Sequence, residues 1–155
     1  MSEISEISFR DARRNELGDI IHLLADDPLG ATRESSAPVP GVQYTTAFDA
    51  IQADPNNRLI VAAHGDDVIG CLQLTFIPGL SRNGATRGQI ESVRIARHLR
   101  GRGLGKRFFE WAIEECRAHG CQLVQLTTDR SRKDAHRFYA QLGFDATHDG
   151  MKLVF

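Results

Sequence analysis

The sequence lacks a large excess of charge of either sign, a long apolar run and a regular cysteine pattern. Its 155 residues include 19 Lys and Arg against 20 Asp and Glu, which gives a net charge of −1. Nucleic-acid-binding domains are usually strongly basic, and a membrane-spanning helix needs about 20 consecutive apolar residues. The sequence has neither feature, so we predict no nucleic-acid partner and no membrane partner.

Cysteine and histidine are present but not in patterns that bind metal or form disulfides. Cys71, Cys116 and Cys121 are an odd number without C-x-x-C spacing, and the N-terminus has no signal-peptide pattern. These features predict a reduced, cytoplasmic protein. The six histidines include no pair at i, i+4 with a carboxylate between them, so we predict no metal site.

Length and hydrophobic patterning predict one domain that spans residues 1–155. After a polar lead-in at 1–5, apolar runs predict strands at 7–10, 58–64, 68–76, 89–96, 121–127 and 151–155. Helical spacing predicts helices at 16–25, 45–53, 103–119 and 134–141. A long loop at 29–41 is a candidate functional segment.

The order of these elements predicts the fold class. The strand at 89–96, the helix at 103–119 and the strand at 121–127 form a β-α-β unit, which implies parallel strands and a right-handed crossover. The strands predicted at 58–64 and 68–76 form a hairpin, which is antiparallel. We therefore predict an α/β or α+β fold with a mixed central sheet and helices on both faces, and a ligand site beyond the carboxyl ends of the parallel strands.

A glycine-rich, basic segment lies at that predicted end of the sheet. Residues 100–106 read Arg-Gly-Arg-Gly-Leu-Gly-Lys, and the stretch 92–109 has six cationic residues and no Asp or Glu. Glycines allow close approach of the backbone to a ligand, and the N–H groups of a helix start attract anions. The segment predicts a ligand that carries phosphate.

The spacing of the glycines distinguishes between phosphate-binding loops. The sequence does not fit G-x-x-x-x-G-K-[ST] or G-x-G-x-x-G. It fits [Q/R]-x-x-G-x-[G/A], with Arg100, Gly103 and Gly105 in the marked places. This pattern resembles the pyrophosphate loop of the GNAT superfamily of acetyl-CoA-dependent N-acyltransferases, although a glycine-rich helix entry can also be only a tight structural turn.

A second motif resembles the same family. Residues 134–144 read Asp-Ala-His-Arg-Phe-Tyr-Ala-Gln-Leu-Gly-Phe, and family members often have Phe-Tyr followed by Leu-Gly-Phe in this place. The run 134–139 is identical to one in the aminoalkylphosphonate acetyltransferases. That similarity extends the acceptor hypotheses to small amines that bear an anion, with Arg82, Arg87 and Arg130 as candidate anion anchors.

The resemblance implies a single GNAT-like domain that binds acetyl-CoA as co-substrate. The strand before the loop would run along the pantetheine arm, and the loop would hold the pyrophosphate. Arg132 stands where many relatives have a cofactor-contacting Asn. The candidate cofactor-binding residues are Val93, Arg94, Ile95, Arg100, Gly101, Arg102, Gly103, Leu104, Gly105, Lys106 and Arg132.

Two side chains are candidates for proton transfer. The resemblance places Tyr139 near the thioester, where its phenol would protonate the leaving CoA thiolate; the alternative is an aromatic that only fills space. Glu91 is the candidate base for the ammonium acceptor. Strict alternation would put Glu91 on one strand face with Val93 and Ile95, where partial desolvation would raise its pKa; the alternative is a solvated or salt-bridged carboxylate.

The predicted reaction is acetyl transfer to a primary amine, by direct attack on the thioester. A small-molecule acceptor is our first interpretation. The alternatives are a protein or peptide acceptor and a non-catalytic CoA-binding module. The terminal strand predicted at 151–155 would offer an exposed edge for a homodimer.

Overall fold

A computed structural model of the protein describes residues 6–35 and 37–155. The chain divides between Gln125 and Leu126 into two compact units, and each is described by itself. The lead-in predicted at 1–5 lies outside the described residues, as does one position of the loop predicted at 29–41.

The first unit contains a five-stranded mixed sheet in the order β1-β2-β3-β4-β5. Its strands are β1 (Ile7–Asp11), β2 (Asn57–His64), β3 (Asp67–Pro78), β4 (Thr86–Ile95) and β5 (Leu123–Gln125). The first three pairings are antiparallel, and β4 pairs with β5 in parallel. The predicted mixed sheet is therefore confirmed, although β5 is shorter than the predicted strand at 121–127.

The described part of the first unit contains three long α-helices and a four-residue helical turn, Ser81–Gly84. The long helices are numbered α1 to α3. They are α1 (Leu17–Ala25), α2 (Val42–Ala53) and α3 (Leu104–Ala118). The predicted boundaries agree to within about three residues, because the apolar positions of each helix recur at helical spacing.

The sheet is buried on both faces because helices cover both of them. Ile20 of α1 and Phe48 of α2 pack with Leu59 and Val61 of β2 in one buried cluster. On the other face, the ring of Phe9 stacks on Phe108 of α3 with centroids 4.9 Å apart. The residues between Leu59 and Ala63 are all buried, as expected for a central strand with apolar side chains on both faces. This arrangement confirms an α+β fold with helices on both faces.

The packing of α3 on β4 depends on a glycine. A Cβ atom added at Gly88 would lie 2.5 Å from Sγ of Cys116, a distance that real Cβ atoms do not adopt. The absent side chain lets the helix lie close to the strand. Because α3 begins at the glycine-rich loop, this contact also helps to fix the loop relative to the sheet.

Glu16, directly before α1, is a buried carboxylate that is fully paired. Its Oε1 accepts a hydrogen bond from Arg10 at 2.6 Å, and its Oε2 accepts one from the backbone N–H of Arg13 at 2.7 Å. The hydrogen bond from Arg10 is the main reason that the pKa of Glu16 lies below its usual value, and burial opposes it. The pair holds the start of α1 against β1.

The second unit, 126–155, contains one helix, α4 (Lys133–Gln141). Gly143 follows it with φ of 92°, a conformation that suits glycine at a helix end. The strand predicted at 151–155 is wrong: these residues form no strand in the described chain, and Met151, Leu153, Val154 and Phe155 are all exposed. An apolar pattern becomes a strand only where a partner strand supplies hydrogen bonds, and none pairs with this segment in the described residues.

Among the helices of the described residues, none is both long enough and apolar enough to span a bilayer.

Candidate active site

The glycine-rich loop has the backbone conformation that an anion site requires. Gly101 and Gly103 have φ of 75° and 81°, in the left-handed region where other residues are strained. Gly103 is the N-cap of α3, and its carbonyl accepts the N–H of Arg107 at 3.1 Å. The N–H groups of the residues between them have no acceptor within the helix. With no acidic residue in this first turn, the helix start favours a negatively charged ligand.

The cations of the loop divide into two kinds. Arg102 and Lys106 are exposed, and Lys106 makes only a 3.8 Å ion pair with Glu110. Arg100 is committed to the protein: its Nε donates to the carbonyl of Ile95 at 2.9 Å, and its Nη2 donates to the backbone oxygen of Asp26 at 3.1 Å. The side chain of Arg100 therefore ties the loop to β4 and to the end of α1.

Strand β4 extends well past its parallel partner. Residues 87–89 pair with Leu123–Gln125, and β4 then continues for six residues, to Ile95. On its other side this extension keeps its pairing with β3. Val93, Arg94 and Ile95 lie on the extension, directly before the turn at 97–99 that leads into the glycine-rich loop. The structure thus brings the strand and the loop of the predicted cofactor site together in one unit.

A bulge at Ser92 changes which residues of β4 share a face. Ser92 has φ of 57°, and the β3–β4 register shifts between Cys71 and Gln73. Gln73 pairs with Glu91, and Cys71 pairs with Arg94, so Glu91 and Arg94 lie on the same face. The predicted alternation, with Glu91 beside Val93 and Ile95, is wrong because the extra residue reverses it. Serine has no special preference for positive φ, so nothing in the sequence indicated the bulge.

The Arg94 side chain is occupied by the segment that follows α1. Its Nε lies 2.8 Å from Oδ2 of Asp27, and the two side chains are only 17% and 11% exposed. Arg94 Nη1 donates to the carbonyl of Val93 at 2.9 Å. The Nε–H itself makes no well-directed hydrogen bond, so the contact with Asp27 is an ion pair rather than a bidentate bridge. The Arg94 side chain therefore fixes β4 to the segment after α1.

A chain of side-chain hydrogen bonds leads along β4 and β5 to Glu91. Arg87 Nη1 donates to Gln125 Oε1 at 3.4 Å, Gln125 Nε2 donates to Gln89 Oε1 at 2.9 Å, and Gln89 Nε2 donates to Glu91 Oε1 at 2.9 Å. An arginine can only donate and a carboxylate can only accept, so the two ends fix the orientation of both amides. We call this set of four residues the amide chain.

The surroundings of Glu91 are polar rather than apolar. Glu91 is exposed, and it lies across from Gln73 and beside Gln89. The prediction that Glu91 is partly desolvated, which rested on strict alternation, is therefore wrong. Among the described residues Glu91 has no ion pair with an arginine, which was one of the alternatives. It is a carboxylate held by an amide at the point where β4 bulges.

An apolar cavity opens on the same face of the sheet, between α1, α2 and the strands. Its volume is about 160 Å³. Gln73 and Ser92 line the end next to Glu91. The other lining residues are Leu17, Ile20, Ile21, Leu24, Tyr44, Ala47, Phe48, Ile51, Leu59 and Cys71.

Tyr44 connects this cavity to the loop predicted at 29–41. Its hydroxyl donates to Oε2 of Glu34 at 2.7 Å and accepts the backbone N–H of Ser35 at 2.9 Å. The hydrogen bond to Glu34 raises the pKa of the Tyr44 phenol. The loop is thus tied to the wall of the cavity.

In the second unit, Tyr139 is held by neighbouring rings. Its ring meets Phe138 and Phe144 edge-on, with centroids 5.6 Å and 6.1 Å apart, and its carbonyl accepts the N–H of Phe144 at 3.0 Å. Arg132 lies directly before α4, and its backbone N–H donates to the carbonyl of Asp129 at 3.0 Å. The Leu-Gly-Phe motif therefore forms the turn that supports the tyrosine.

Three arginines were candidate anchors for an anionic acceptor, and two of them have protein partners. Arg87 donates to Gln125, and Arg130 Nη2 donates to Asp149 Oδ1 at 3.1 Å within the second unit. Arg82 lies on an exposed turn with φ of 54°. The partners of Arg87 and Arg130 weaken the case for an anionic acceptor.

Cysteine chemistry and metal chemistry find little support in the site. Burial raises the pKa of Cys71 to about 12, and burial is also the main reason that the pKa of Cys116 is raised to about 12. A thiol with such a pKa is not a nucleophile at neutral pH. In residues 6–35 and 37–155, no three His, Cys, Asp or Glu side chains are grouped so that they could hold a metal ion.

Known proteins resemble the chain over most of its length. Residues 19–144 match the Acetyltransferase (GNAT) family model. The aminoalkylphosphonate N-acetyltransferase of Salmonella typhimurium is 31% identical over 105 residues, which cover 68% of each chain. The glucosamine 6-phosphate N-acetyltransferase of Trypanosoma brucei brucei is 29% identical over 154 residues, which cover 99% of each.

A solved structure from Bacillus halodurans, described as a transcriptional regulator, has a TM-score of 0.92 and 47% identity, and the alignment covers 96% of this chain and 99% of that one. The sheet, the glycine-rich helix start and the family match agree. We conclude that the chain belongs to the GNAT family and is an N-acetyltransferase that uses acetyl-CoA to acetylate amines.

Proposed function

We propose that the protein transfers the acetyl group of acetyl-CoA to the primary amine of a small molecule, by direct attack on the thioester. The observation that carries this proposal is the continuity of the β4 extension with the glycine-rich start of α3. The family match runs through both units, which supports the prediction that residues 1–155 act as a single N-acetyltransferase domain.

The cofactor end of the proposed site binds through backbone groups and exposed cations. The N–H groups at the start of α3 would donate to the pyrophosphate, and Arg102 and Lys106 would neutralise its charge. The backbone of residues 93–95 would form hydrogen bonds with the amides of the pantetheine arm. Arg100 would act indirectly, by holding the loop against Asp26 and Ile95.

Two proton transfers complete the proposed reaction. Glu91 accepts a proton from the ammonium group, and the free amine then attacks the carbonyl carbon of the thioester. The carbon–sulfur bond breaks as the new amide forms, and the phenol of Tyr139 donates its proton to the leaving thiolate. The second proton on the amine nitrogen passes to solvent as the amide forms, and the Tyr139 phenolate and Glu91 return to their starting states by proton exchange with solvent. A backbone N–H on β4 would stabilise the oxyanion. The role of Tyr139 rests on the family motif, and that of Glu91 rests on its place at the bulge.

The amide chain supports Glu91 as the group that meets the amine. A catalytic carboxylate needs a fixed position, and such positions are usually set by a second layer of hydrogen bonds. Gln89 supplies that bond, and its own amide is fixed by Gln125. A carboxylate that was merely solvated would not need three successive hydrogen-bond donors, Arg87, Gln125 and Gln89, to hold it.

The same face of the sheet bears on the alternatives. A peptide acceptor would need an open groove beside the loop at 29–41, but Tyr44 ties that loop to the cavity wall. A CoA-binding module without turnover would have no use for a positioned carboxylate. Because the similar structure from Bacillus halodurans is described as a transcriptional regulator, DNA is a useful control ligand in binding experiments.

A homodimer is part of the proposal, through a second copy that covers the exposed apolar residues at 151–155. Large apolar side chains exposed in series are typical of an interface. The test is the molar mass in solution of the full chain and of a chain truncated after Gly150. A monomeric full chain would contradict the proposal.

The first experiment measures the melting temperature with acetyl-CoA, ATP, NAD and a DNA duplex at low salt. A ligand at 100 times its dissociation constant adds about 2.7 kcal/mol of stability, which for this size is a shift of several degrees. We expect a shift with acetyl-CoA alone, and release of CoA thiol when amines are added. A protein that is stabilised by DNA and not by acetyl-CoA would contradict the proposal.

Replacement of the proposed acid separates catalysis from binding. We expect Tyr139→Phe to lower kcat by a factor of about 100 or more, because general acid catalysis commonly contributes that much, and to leave the Kd of acetyl-CoA unchanged. A direct role also predicts that the variant loses the alkaline fall in rate that ionisation of a catalytic phenol produces. Equal kcat values for the two proteins would remove Tyr139 from the mechanism.

A further inference from the structure

We propose that the acceptor is a small primary amine whose body is an uncharged apolar group of about the size of a phenyl ring. This inference rests on the proposed function. The apolar group would occupy the cavity between α1, α2 and the sheet, and the amine would lie at Glu91.

The first argument is the size of the cavity. Protein cores are close-packed and contain few voids larger than a water molecule. A volume of about 160 Å³ is comparable to engineered apolar cavities, which stay dry and bind benzene. Empty apolar volume destabilises a protein in proportion to its size. Because this cavity lies beside β4, which carries Glu91, we interpret it as a binding site for part of the acceptor.

The second argument is the chemistry of the cavity wall. Among the residues that the structure describes, no Arg, Lys, Asp or Glu side chain lines it. Of its polar groups, the Tyr44 hydroxyl is occupied by Glu34 and Ser35, and the Cys71 thiol lies 3.7 Å from the carbonyl of Ser92. A phosphate or phosphonate buried here would have no counter-ion, which is strongly unfavourable. The wall therefore selects a group without charge.

The third argument is the place of the cavity relative to the carboxylate. Gln73 lines the cavity and pairs directly with Glu91 across the β3–β4 ladder. Side chains at such opposite positions have Cβ atoms about 5 Å apart. A linker of one to three methylene groups is enough to join an ammonium at Glu91 to a ring in the cavity. Arylalkylamines such as 2-phenylethylamine have this form.

The cavity also has a route for entry. Ala47 on α2 and Ser92 on β4 are exposed residues that belong to its lining, whereas the wall around Ile20, Phe48 and Cys71 is buried. The small side chain of Ala47 leaves the mouth open. A large residue at this exposed position would close the mouth without disturbing the buried wall.

The test compares acceptors at saturating acetyl-CoA by release of CoA thiol. The acceptors are 2-phenylethylamine, ethylamine, 2-aminoethylphosphonate and glucosamine 6-phosphate. We expect kcat/KM for 2-phenylethylamine to exceed that of each of the others at least tenfold. A preference for either anionic amine would overturn the inference and leave the proposed acetyl transfer intact. Failure to acetylate 2-phenylethylamine, in a protein that binds acetyl-CoA, would also overturn it.

A matched pair of α2 variants locates the binding site. Ala47→Trp closes the mouth, and Ala50→Trp places the same side chain at an exposed position of the helix outside the cavity lining. We expect Ala47→Trp to raise the KM for 2-phenylethylamine at least tenfold, with KM for ethylamine and the Kd of acetyl-CoA unchanged, and Ala50→Trp to match the parent chain. Equal KM values in both variants would overturn the inference. If the parent chain does not bind acetyl-CoA, that result would instead contradict the proposed function.

Discussion

The two ends of β4 use different chemistry. At its carboxyl end the strand leads into glycines, exposed cations and a helix start, where backbone groups would be the main binding elements of the proposed cofactor site. Towards its amino end, side chains form the proposed site: the amide chain holds Glu91, and an apolar cavity opens beside Gln73.

In the proposed site, this difference separates the cofactor end from the acceptor end. A backbone site tolerates changes of side chain, provided that glycines keep the loop in shape. A site made of side chains changes with each substitution, so the acceptor face is where this chain can differ from its relatives. Substitutions at one end of β4 should therefore leave the function of the other end unchanged.

Of the substitutions that test this comparison, one in the loop is expected to have the largest effect. Gly103→Ala places a Cβ at φ of 81°, a conformation that costs an L-residue about 1–2 kcal/mol. If that strain is relieved by loop movement, acetyl-CoA binding weakens about tenfold, since 1.4 kcal/mol corresponds to a factor of ten. Gly18→Ala in α1 is the control, because a Cβ there meets nothing within 4 Å. Calorimetric titration of both variants checks the prediction, and equal Kd values would contradict it.

A smaller effect is expected when the amide chain is cut. Gln125→Leu removes the donor to Gln89, so the Gln89 amide no longer holds Glu91 in one position. A hydrogen bond of about 1 kcal/mol predicts a loss of about fivefold in kcat/KM for the amine, with the Kd of acetyl-CoA unchanged. Gln125→Glu can still accept from Arg87 but cannot donate to Gln89, so it should lose as much. A fall in acetyl-CoA affinity would mean that the two ends are not separate.

Asp26 offers a milder test of how Arg100 works. Asp26→Asn weakens the contacts of Asp26 with Arg97 and Arg100 and leaves both arginines in place. Exposed ion pairs contribute about 0.2–1 kcal/mol, so we expect acetyl-CoA to bind about threefold more weakly, with no change in KM for the amine. An unchanged Kd would indicate that Arg100 acts through direct contact with the ligand.

The smallest effect concerns the loop tied to the cavity by Tyr44. Tyr44→Phe removes the donor to Glu34 and the acceptor of the Ser35 N–H. The bond to Glu34 is partly exposed and contributes about 0.5 kcal/mol, at the low end of the usual range. Because Glu34 raises the pKa of the phenol, this stability is fully present below the unfolded pKa of about 10 and is lost as the pH rises through the higher folded value. The melting temperatures of the two proteins should differ at pH 7.5, and the difference should become smaller as the pH rises above about 10. A constant difference would contradict the assignment.

The sequence was sufficient for the elements whose signals are local. The hairpin of β2 and β3, the helix α3 and the glycines before it were predictable, because apolar spacing and turn residues act over a few positions. The short β5 and the absent strand at 151–155 were not, since a strand depends on its partner as much as on its own pattern.

The site shows the same limit. The loop residues stood out by charge and glycine content. The bulge at Ser92 did not, and it reversed the face that alternation assigned to Glu91. Gln125 lies 36 positions from Gln89 and gave no signal of its own, because only the parallel pairing of β4 with β5 brings the two amides together.

The close contact at Gly88 helps to set the tilt of helix α3 relative to the sheet. The contact of Gly88 with Cys116 lies near the far end of the helix, about 18 Å along the axis from Leu104, the first residue of the helix, at 1.5 Å per residue. A helix behaves as a stiff rod, so a methyl group at position 88 that lifts one end would tilt the other. We therefore expect a residue on a neighbouring strand, remote from the proposed phosphate-binding loop, to influence the affinity for acetyl-CoA.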